Sequence, residues 1–377
     1  MGRCAPTSGC SAGRSGTTPR ATPSVCSSVA ESGGRDVGGC LASDVVADFP
    51  TLPDGLTVRP LAADDVADAS ALLEAAEELD DTGEHWSPDD LTEWWVNDLV
   101  DLERDSLAVT SPDGGFVAWA TVLALPTFRD AFRIILEARV HPAWRDRGIG
   151  CGLLAWQLER GREVHAERHP ESPAVLSVEV YTSMSSLEGL VRRAGLEQER
   201  WYFVMERPLT DLPAVPAVEG VQLVPFSWDR DDEVRRAHNA AFTKHHGSAD
   251  RDETTWRTLF TGQRAFRPEL SSLALVDDAV VAYALAYVFE ADTAANGYEQ
   301  VDFGQIGVLP AARGRGLAKA IIATSLRAAA ERGCRSAGLQ VDSENVTGAL
   351  RLYEGLGFTK RRTQVSWTRA LPAVVSQ

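Results

Sequence analysis

Apolar residues recur along this 377-residue chain with two periods, and the periods alternate in the same order twice. Helical spacing over residues 64–79 and 88–102 predicts two helices after a short strand at 56–60. Strand patterning at 106–110, 116–125 and 134–140 predicts three consecutive strands. A helix at 150–166, a strand at 175–181, a short helix at 187–194 and a strand at 201–206 complete the stretch. The second stretch follows the same plan. It has helices at 231–242 and 253–260, then strands at 273–276, 280–289 and 301–308. A helix at 317–332, a strand at 337–341, a helix at 346–356 and a strand at 364–368 follow. Ile322, Leu326 and Ala329 share one face of the 317–332 helix, and Gly333 is placed to cap its end. Antiparallel strands followed by a strand-loop-helix-strand unit predict an α+β fold, with a mixed, mostly antiparallel sheet flanked by helices in each stretch.

Three landmarks confirm that the plan is an internal repeat. Gly55-Leu56-Thr57-Val58-Arg59-Pro60 answers to Gly220-Val221-Gln222-Leu223-Val224-Pro225, 165 residues on. Arg145 answers to Arg313 at an offset of 168, and Gly195-Leu196 to Gly357-Phe358 at 162. The reading is a tail at 1–52, one domain at 53–208, a linker at 209–219 and a second domain at 220–372. Pro213 and Pro216 fall in the linker, where proline interrupts regular structure. The tail is rich in Gly, Ser, Thr and Arg without a hydrophobic period, and reads as disordered.

Composition changes this picture only at the margins. With 37 basic and 54 acidic side chains the net charge is −17, which argues against nucleic acid as a partner. No stretch approaches the roughly 20 apolar residues of a membrane span. Cys4, Cys10, Cys26 and Cys40 lie in the tail at spacings that match no zinc site, so no metal is expected. A cytoplasmic, reduced protein is the default. A tandem repeat can stand in for a homodimer, so a monomer is expected.

The chemistry concentrates in the repeated loop. The first copy runs Val140-His141-Pro142-Ala143-Trp144-Arg145-Asp146-Arg147-Gly148-Ile149-Gly150. The second runs Val308-Leu309-Pro310-Ala311-Ala312-Arg313-Gly314-Arg315-Gly316-Leu317-Ala318. Each joins an apolar strand to a helix. The first backbone N–H groups of a helix have no intrahelical partners, and the helix dipole adds positive charge there. A glycine- and arginine-rich turn at that point suits a pyrophosphate. The loop lacks the Gly-Lys-Ser/Thr of a Walker motif and the early strand of a Rossmann fingerprint.

On these residues the chain resembles the GNAT superfamily of acyl-CoA-dependent N-acetyltransferases. Both loops match its Arg/Gln-x-x-Gly-x-Gly/Ala signature. Asn345-Val346-Thr347-Gly348-Ala349-Leu350-Arg351-Leu352-Tyr353-Glu354-Gly355-Leu356-Gly357-Phe358 matches a second pattern of the superfamily. The resemblance covers about residues 53–372, and the tandem layout is similar to mycothiol synthase and its two-domain relatives. It implies acetyl-CoA as co-substrate, with the pyrophosphate on the loop and the thioester and pantetheine near Ile306 and Val308. It also implies a ligand role for Asn345, which could equally cap the following helix.

Amide formation needs a base for the ammonium and a proton for the leaving thiolate. Tyr353 stands at the superfamily's tyrosine position, and a phenol with a pKa near 10 suits the second task. Asp302, six residues before Val308, stands where mycothiol synthase carries its acidic base, with Glu299 as rival. The first domain has Ile134 and Val191 at these places, and Ser183 opposite Asn345. The second domain is therefore expected to acetylate, and the first to keep a cradle without chemistry. The acceptor is expected to be a primary amine of a small molecule. A mycothiol-type aminosugar thiol precursor, a protein N-terminus or lysine, and a non-enzymatic acyl-CoA-binding role remain as alternatives. His245-His246 lies in a loop where the superfamily places acceptor-binding residues, and Trp86, Trp94 and Trp95 read as packing.

Overall fold

The computed structural model describes residues 52–97, 100–243, 249–344 and 348–374. Residues 1–51 of the tail, His245, His246 and Asn345 lie outside the described residues. The first repeat runs β1 (Thr57–Arg59), α1 (Val66–Asp80), α2 (Pro88–Trp95), α3 (Leu102–Asp105), β2 (Ser106–Thr110) and β3 (Phe116–Ala124). It continues with β4 (Phe132–Val140), α4 (Ile149–Arg168), β5 (Ala174–Tyr181), α5 (Ser185–Arg193) and β6 (Glu197–Pro208). The second runs β7 (Gln222–Pro225), α6 (Asp231–Ala241), α7 (Glu253–Trp256), β8 (Ser272–Val276), β9 (Ala279–Tyr287) and α8 (Glu290–Asn296). Then come β10 (Gln300–Val308), α9 (Leu317–Arg332), β11 (Ser336–Asp342), α10 (Ala349–Gly355) and β12 (Thr359–Leu371).

Local chemistry sets several boundaries. Ser87 caps α2 through the Asp90 backbone N–H while the Asp90 carboxylate takes the Ser87 N–H, with Pro88 in the first turn. The pattern predicts a helix to 102, but α2 stops at Trp95, where the Asn97 amide donates to the Glu93 and Trp94 carbonyls. The 253–260 helix widens after α7 into a π turn at Arg257–Thr261. Gly333 closes α9 at φ 107°, as its position predicts. The short α8 has no counterpart in the sequence reading.

The twelve strands of the described residues join in one sheet, ordered β1-β2-β3-β4-β5-β12-β6-β11-β10-β9-β8-β7. Among the described residues, only β4–β5 and β10–β11 pair in parallel. The two closing strands are exchanged. β6 of the first repeat pairs with β11 of the second, and β12 of the second pairs with β5 of the first. They also pair with each other. Both run longer than the sequence pattern predicts, because each has a partner on both sides and no free edge.

Helices cover both faces. α4 packs on the first repeat, its Leu153 in one core with Ile134, Leu136 and Val191, and this core takes in Val365 and Trp367 from β12. α9 packs on the second, its Ile321 in one core with Val301, Phe303 and Tyr353, together with Met205 from β6. The opposite faces carry Leu72, Leu91, Trp95 and Trp119 in one repeat and Trp256, Phe260, Tyr283 and Tyr287 in the other. Trp86 and Trp94 pack against the former cluster.

Each core thus contains side chains from the other repeat. Trp367 is 3% exposed inside the first core. Trp367→Ala is expected to cost about 3–5 kcal/mol, a large share of a typical 5–15 kcal/mol. Urea unfolding followed by circular dichroism should show a lower midpoint, and an unchanged midpoint would refute the shared core.

Candidate active site

Two V-shaped openings form where the parallel pairs part. β4 and β5 are in register from Phe132–Ala174 to Ile135–Ser177. β10 and β11 are in register from Gln300–Ser336 to Phe303–Leu339. Beyond these points the facing backbone groups have no sheet partner on that side, and such groups need another partner.

The two openings differ in the strand that lines them. In β4 the pairing with β3 is regular from Val140 back to Ile134. In β10 the pairing with β9 shifts between Phe303 and Gln305, so Gly304 is an extra residue. Such bulges re-aim side chains and occur beside active sites. A side chain at Gly304 has no room, since an added Cβ would fall 2.7 Å from Tyr287 Cε2. A lone glycine inside a strand pattern is the sequence signal for such a bulge.

Asp302 sits just before the bulge. Val301 and Phe303 point into the α9 core, so Asp302 points to the opposite face. It is level with Gly338 on β11 and Tyr287 on β9. An added Cβ on Gly338 would fall 2.0 Å from Asp302 Oδ1, so the glycine is what makes room for the carboxyl. Burial pushes the Asp302 pKa up to about 7, with Asp292 and Glu206 acting in the same direction and the Gln300 amide, 2.9 Å away, opposing. Glu299 is different. Its carboxylate is paired with Arg332 at 3.1 Å, which holds its pKa below the usual range.

Tyr353 lies on α10, in the core on the α9 side of the sheet, 8% exposed and edge-on to Phe358. Burial pushes its pKa up to about 12, so the phenol is protonated at neutral pH. Asp302 and Tyr353 therefore belong to opposite faces of the sheet, on either side of the β10–β11 opening. Ile306 and Val308 line β10 beyond the bulge, packed against the α9 core.

The loops at the two openings share a backbone path. Gly316 caps α9 at φ 82° and Gly148 caps α4 at φ 85°. Leu317 and Ile149 are buried anchors behind them, while Ala318 and Gly150 are half-buried in the first turn. Gly314 holds φ 79°, and in the first loop Asp146 holds the same left-handed conformation at φ 60°. Arg313 and Arg315 are exposed and donate to the carbonyls of Ala241 (2.8 Å) and Glu219 (3.0 Å). Arg145 instead makes a bidentate pair with the buried Asp80, both bonds at 2.7 Å. Arg147 stacks on Trp144. The second loop thus offers two arginines bound only to carbonyls, and the first offers a neutralised arginine beside an aspartate.

The first opening is nonetheless roomy, a cavity of about 680 Å³. The extra residue at Gly304 shifts the count by one, so the strand pairing sets Ile135, opposite Leu123 on β3 and lining the cavity, at the register of Asp302. Ile134, expected there from the sequence, points into the α4 core with Val191. The cavity walls carry acids that the sequence did not single out. Tyr181 donates to Glu84 at 2.5 Å, and burial raises the pKa of the Glu84 carboxyl. Cys151 also lines it.

Residues 81–93 of the first repeat dock beside the second opening. His85 contacts Asp292 on α8 at 2.9 Å, Arg362 pairs with Asp81 at 2.8 Å, and the Arg264 N–H donates to Glu93. Asp292 is in turn close enough to raise the Asp302 pKa. Sequence reasoning missed this wall, because its partners are about 200 residues apart. Among the described residues, no group of three His, Cys, Asp or Glu is arranged to hold a metal ion.

Residues 232–358 match the acetyltransferase (GNAT) family. The mycothiol acetyltransferase of Frankia alni is 30% identical over 327 residues, covering 83% of this chain and 94% of that protein. The mycothiol acetyltransferase of a Nocardioides species is 32% identical over 238 residues, covering 59% and 76%. The GCN5-related N-acetyltransferase from Sphaerobacter thermophilus superposes with a TM-score of 0.68 at 26% identity, covering 87% of this chain and 99% of that one. A tandem GNAT protein from the clavulanic acid biosynthesis pathway shares the fold, with a TM-score of 0.61 at 21% identity over 85% of this chain and 100% of that one. With a split parallel strand pair, a glycine-capped helix after it and these relatives, the chain belongs to the GNAT acetyltransferase family and is an acetyl-CoA-dependent N-acetyltransferase.

Proposed function

We propose that the second repeat alone transfers the acetyl group, to a primary amine of a small molecule, with Asp302 as base and Tyr353 as acid. The observation that carries this reading is the Gly304 bulge beside Asp302, which the otherwise parallel first repeat lacks. Acetyl-CoA supplies the acetyl group as a thioester. Backbone N–H groups of Arg313–Ala318 and the positive end of α9 would hold its pyrophosphate, and Ile306 and Val308 its pantetheine. Asn345 stands with them by motif.

An alkylammonium has a pKa of about 10.4 and an ordinary aspartate about 3.9. A carboxyl near 7 narrows that gap from about 6.5 to about 3.4, a better match for proton transfer. Asp302 takes the proton of the amine on one face of the sheet. Tyr353, protonated on the other, delivers a proton to the departing thiolate. The acids Asp292 and Asp302 favour a cationic acceptor. The docked segment 81–93 walls the acceptor side, which suits a small molecule better than a polypeptide. Relatives named mycothiol acetyltransferase favour, as a second reading, an amine attached to an aminosugar.

In this reading the chain divides into a tail (1–52), a non-catalytic repeat (53–208), a linker (209–219) and the catalytic repeat (220–372). The first repeat keeps the cradle of Val140, Arg145, Asp146, Arg147, Gly148, Ile149 and Gly150. The shared sheet makes a monomer sufficient. Among the described residues no helix is long and apolar enough to cross a membrane, and we place the enzyme in the cytoplasm.

Thiol release from acetyl-CoA with a panel of amines tests the activity, and tight acetyl-CoA binding without turnover would leave a binding protein instead. Tyr353→Phe should lower kcat while leaving acetyl-CoA affinity nearly intact, and an unchanged kcat removes Tyr353 from the mechanism. Asp302→Asn should lower kcat by about 10²–10⁴ and abolish the rise of activity as pH passes about 7. The raised Asp302 pKa makes native stability fall as pH rises from about 4 to 7, because the unfolded carboxyl loses its proton first. Asp302→Asn should therefore melt higher than the parent at pH 8, and a lower melting point contradicts the buried charge. Arg145→Ala combined with Gly148→Asp should spare turnover, and a large loss with an intact fold would assign chemistry to the first repeat.

A further inference from the structure

Tyr287, the last residue of β9, is 3% exposed. Its hydroxyl is buried and has no hydrogen-bond partner among the described residues. Such a group costs free energy unless a partner beyond the described residues takes its hydrogen bond. The ring packs against Phe266 and Phe289, a setting that a phenylalanine would fill without that cost. A buried hydroxyl left unsatisfied in this way calls for a partner from outside the chain.

Its position says which partner. Tyr287 pairs with Asp302 across β9 and β10, so the two side chains leave the sheet on the same face. The ring then crosses β10 over Gly304. A Cβ added there would lie 2.7 Å from Tyr287 Cε2 and 3.4 Å from Cζ, the carbon that bears the hydroxyl. β10 and β11 leave register one residue earlier, at Phe303 and Leu339. The hydroxyl end of the ring thus lies where the strands part, on the side of Asp302. Burial keeps the phenol protonated, so it can serve as a donor.

We propose that Tyr287 contacts ligand in the acyl-transfer site, its O–H donating a hydrogen bond to an oxygen bound where β10 and β11 part. This rests on the reading of the β10–β11 opening as the reaction cleft. Two oxygens fit: the carbonyl of the thioester, and an oxygen of the acceptor next to its amine. Both are neutral hydrogen-bond acceptors held beside Asp302.

The test uses the full chain labelled with [13Cζ]tyrosine, which gives six resonances. The Tyr287 signal is the one that Tyr287→Phe removes. If acetyl-CoA moves it and CoA does not, the partner is the thioester oxygen. If CoA with glucosamine moves it and CoA with putrescine, which has no oxygen, does not, the partner is an acceptor oxygen. Tyr287→Phe should bind the effective probe about three- to tenfold more weakly, the range of one neutral hydrogen bond. It should melt at or above the parent temperature. Acetyl-CoA binding by calorimetry with no movement of the Tyr287 signal under any probe overturns the proposal and leaves the cleft reading standing. A clearly lower melting temperature also overturns it, since the hydroxyl would then have a structural partner. No calorimetric binding of acetyl-CoA overturns the cleft reading, and this proposal with it.

Discussion

Two parallel strands that begin in register cannot part without leaving backbone groups unpaired, and the rest of this structure is arranged around that constraint. β10 and β11 hold register for four residues and then separate. The extra residue at Gly304 kinks β10 at that point, and the Tyr287 ring fills the space its missing side chain leaves. Gly338, one strand away, makes room for the Asp302 carboxyl. α9 starts at the far end of β10, so its unpaired N–H groups face the mouth of the same opening. A split strand pair, a helix terminus and two side chains on opposite faces thus converge, β11 and Tyr353 being brought to β10 and Asp302 from further along the chain.

The two repeats show what happens when one plan diverges. Both keep the split, the glycine cap and the helix. The first has a regular β4, apolar Ile135 and Val191 where the second has Asp302 and Tyr353, and an arginine engaged by Asp80. The second has the bulge, a carboxyl raised by burial and arginines bound only to backbone carbonyls. The repeats nevertheless depend on each other, since each lends its closing strand to the other's neighbourhood in the sheet. Separating them would strip both cores of side chains and expose strand edges. This gives a physical reason for the two repeats to persist together.

Much of this could be read from the residues. The strand-loop-helix order, the glycine-rich turn before each helix and Gly333 as a stop follow from local patterns, whereas the six-residue count that set Ile134 opposite Asp302 missed the extra residue at Gly304. α8 could not, because seven polar and small residues carry no clear period. Nor could the Arg145–Asp80 pair, whose members are 65 residues apart. The length of β6 and β12 was hidden for the same reason, since a strand's extent depends on its neighbours rather than on its own sequence.

By itself the sequence determined the repeat, the α+β class and the glycine-rich turn between strand and helix in each repeat, because these depend on residue type and short spacing. Only the tertiary structure decided that the two sheets are one, that Asp302 is desolvated and that Tyr287 reaches over Gly304. These depend on which distant strands become neighbours. Burial and register are properties of that pairing, and a carboxyl's proton affinity follows from the surroundings it creates.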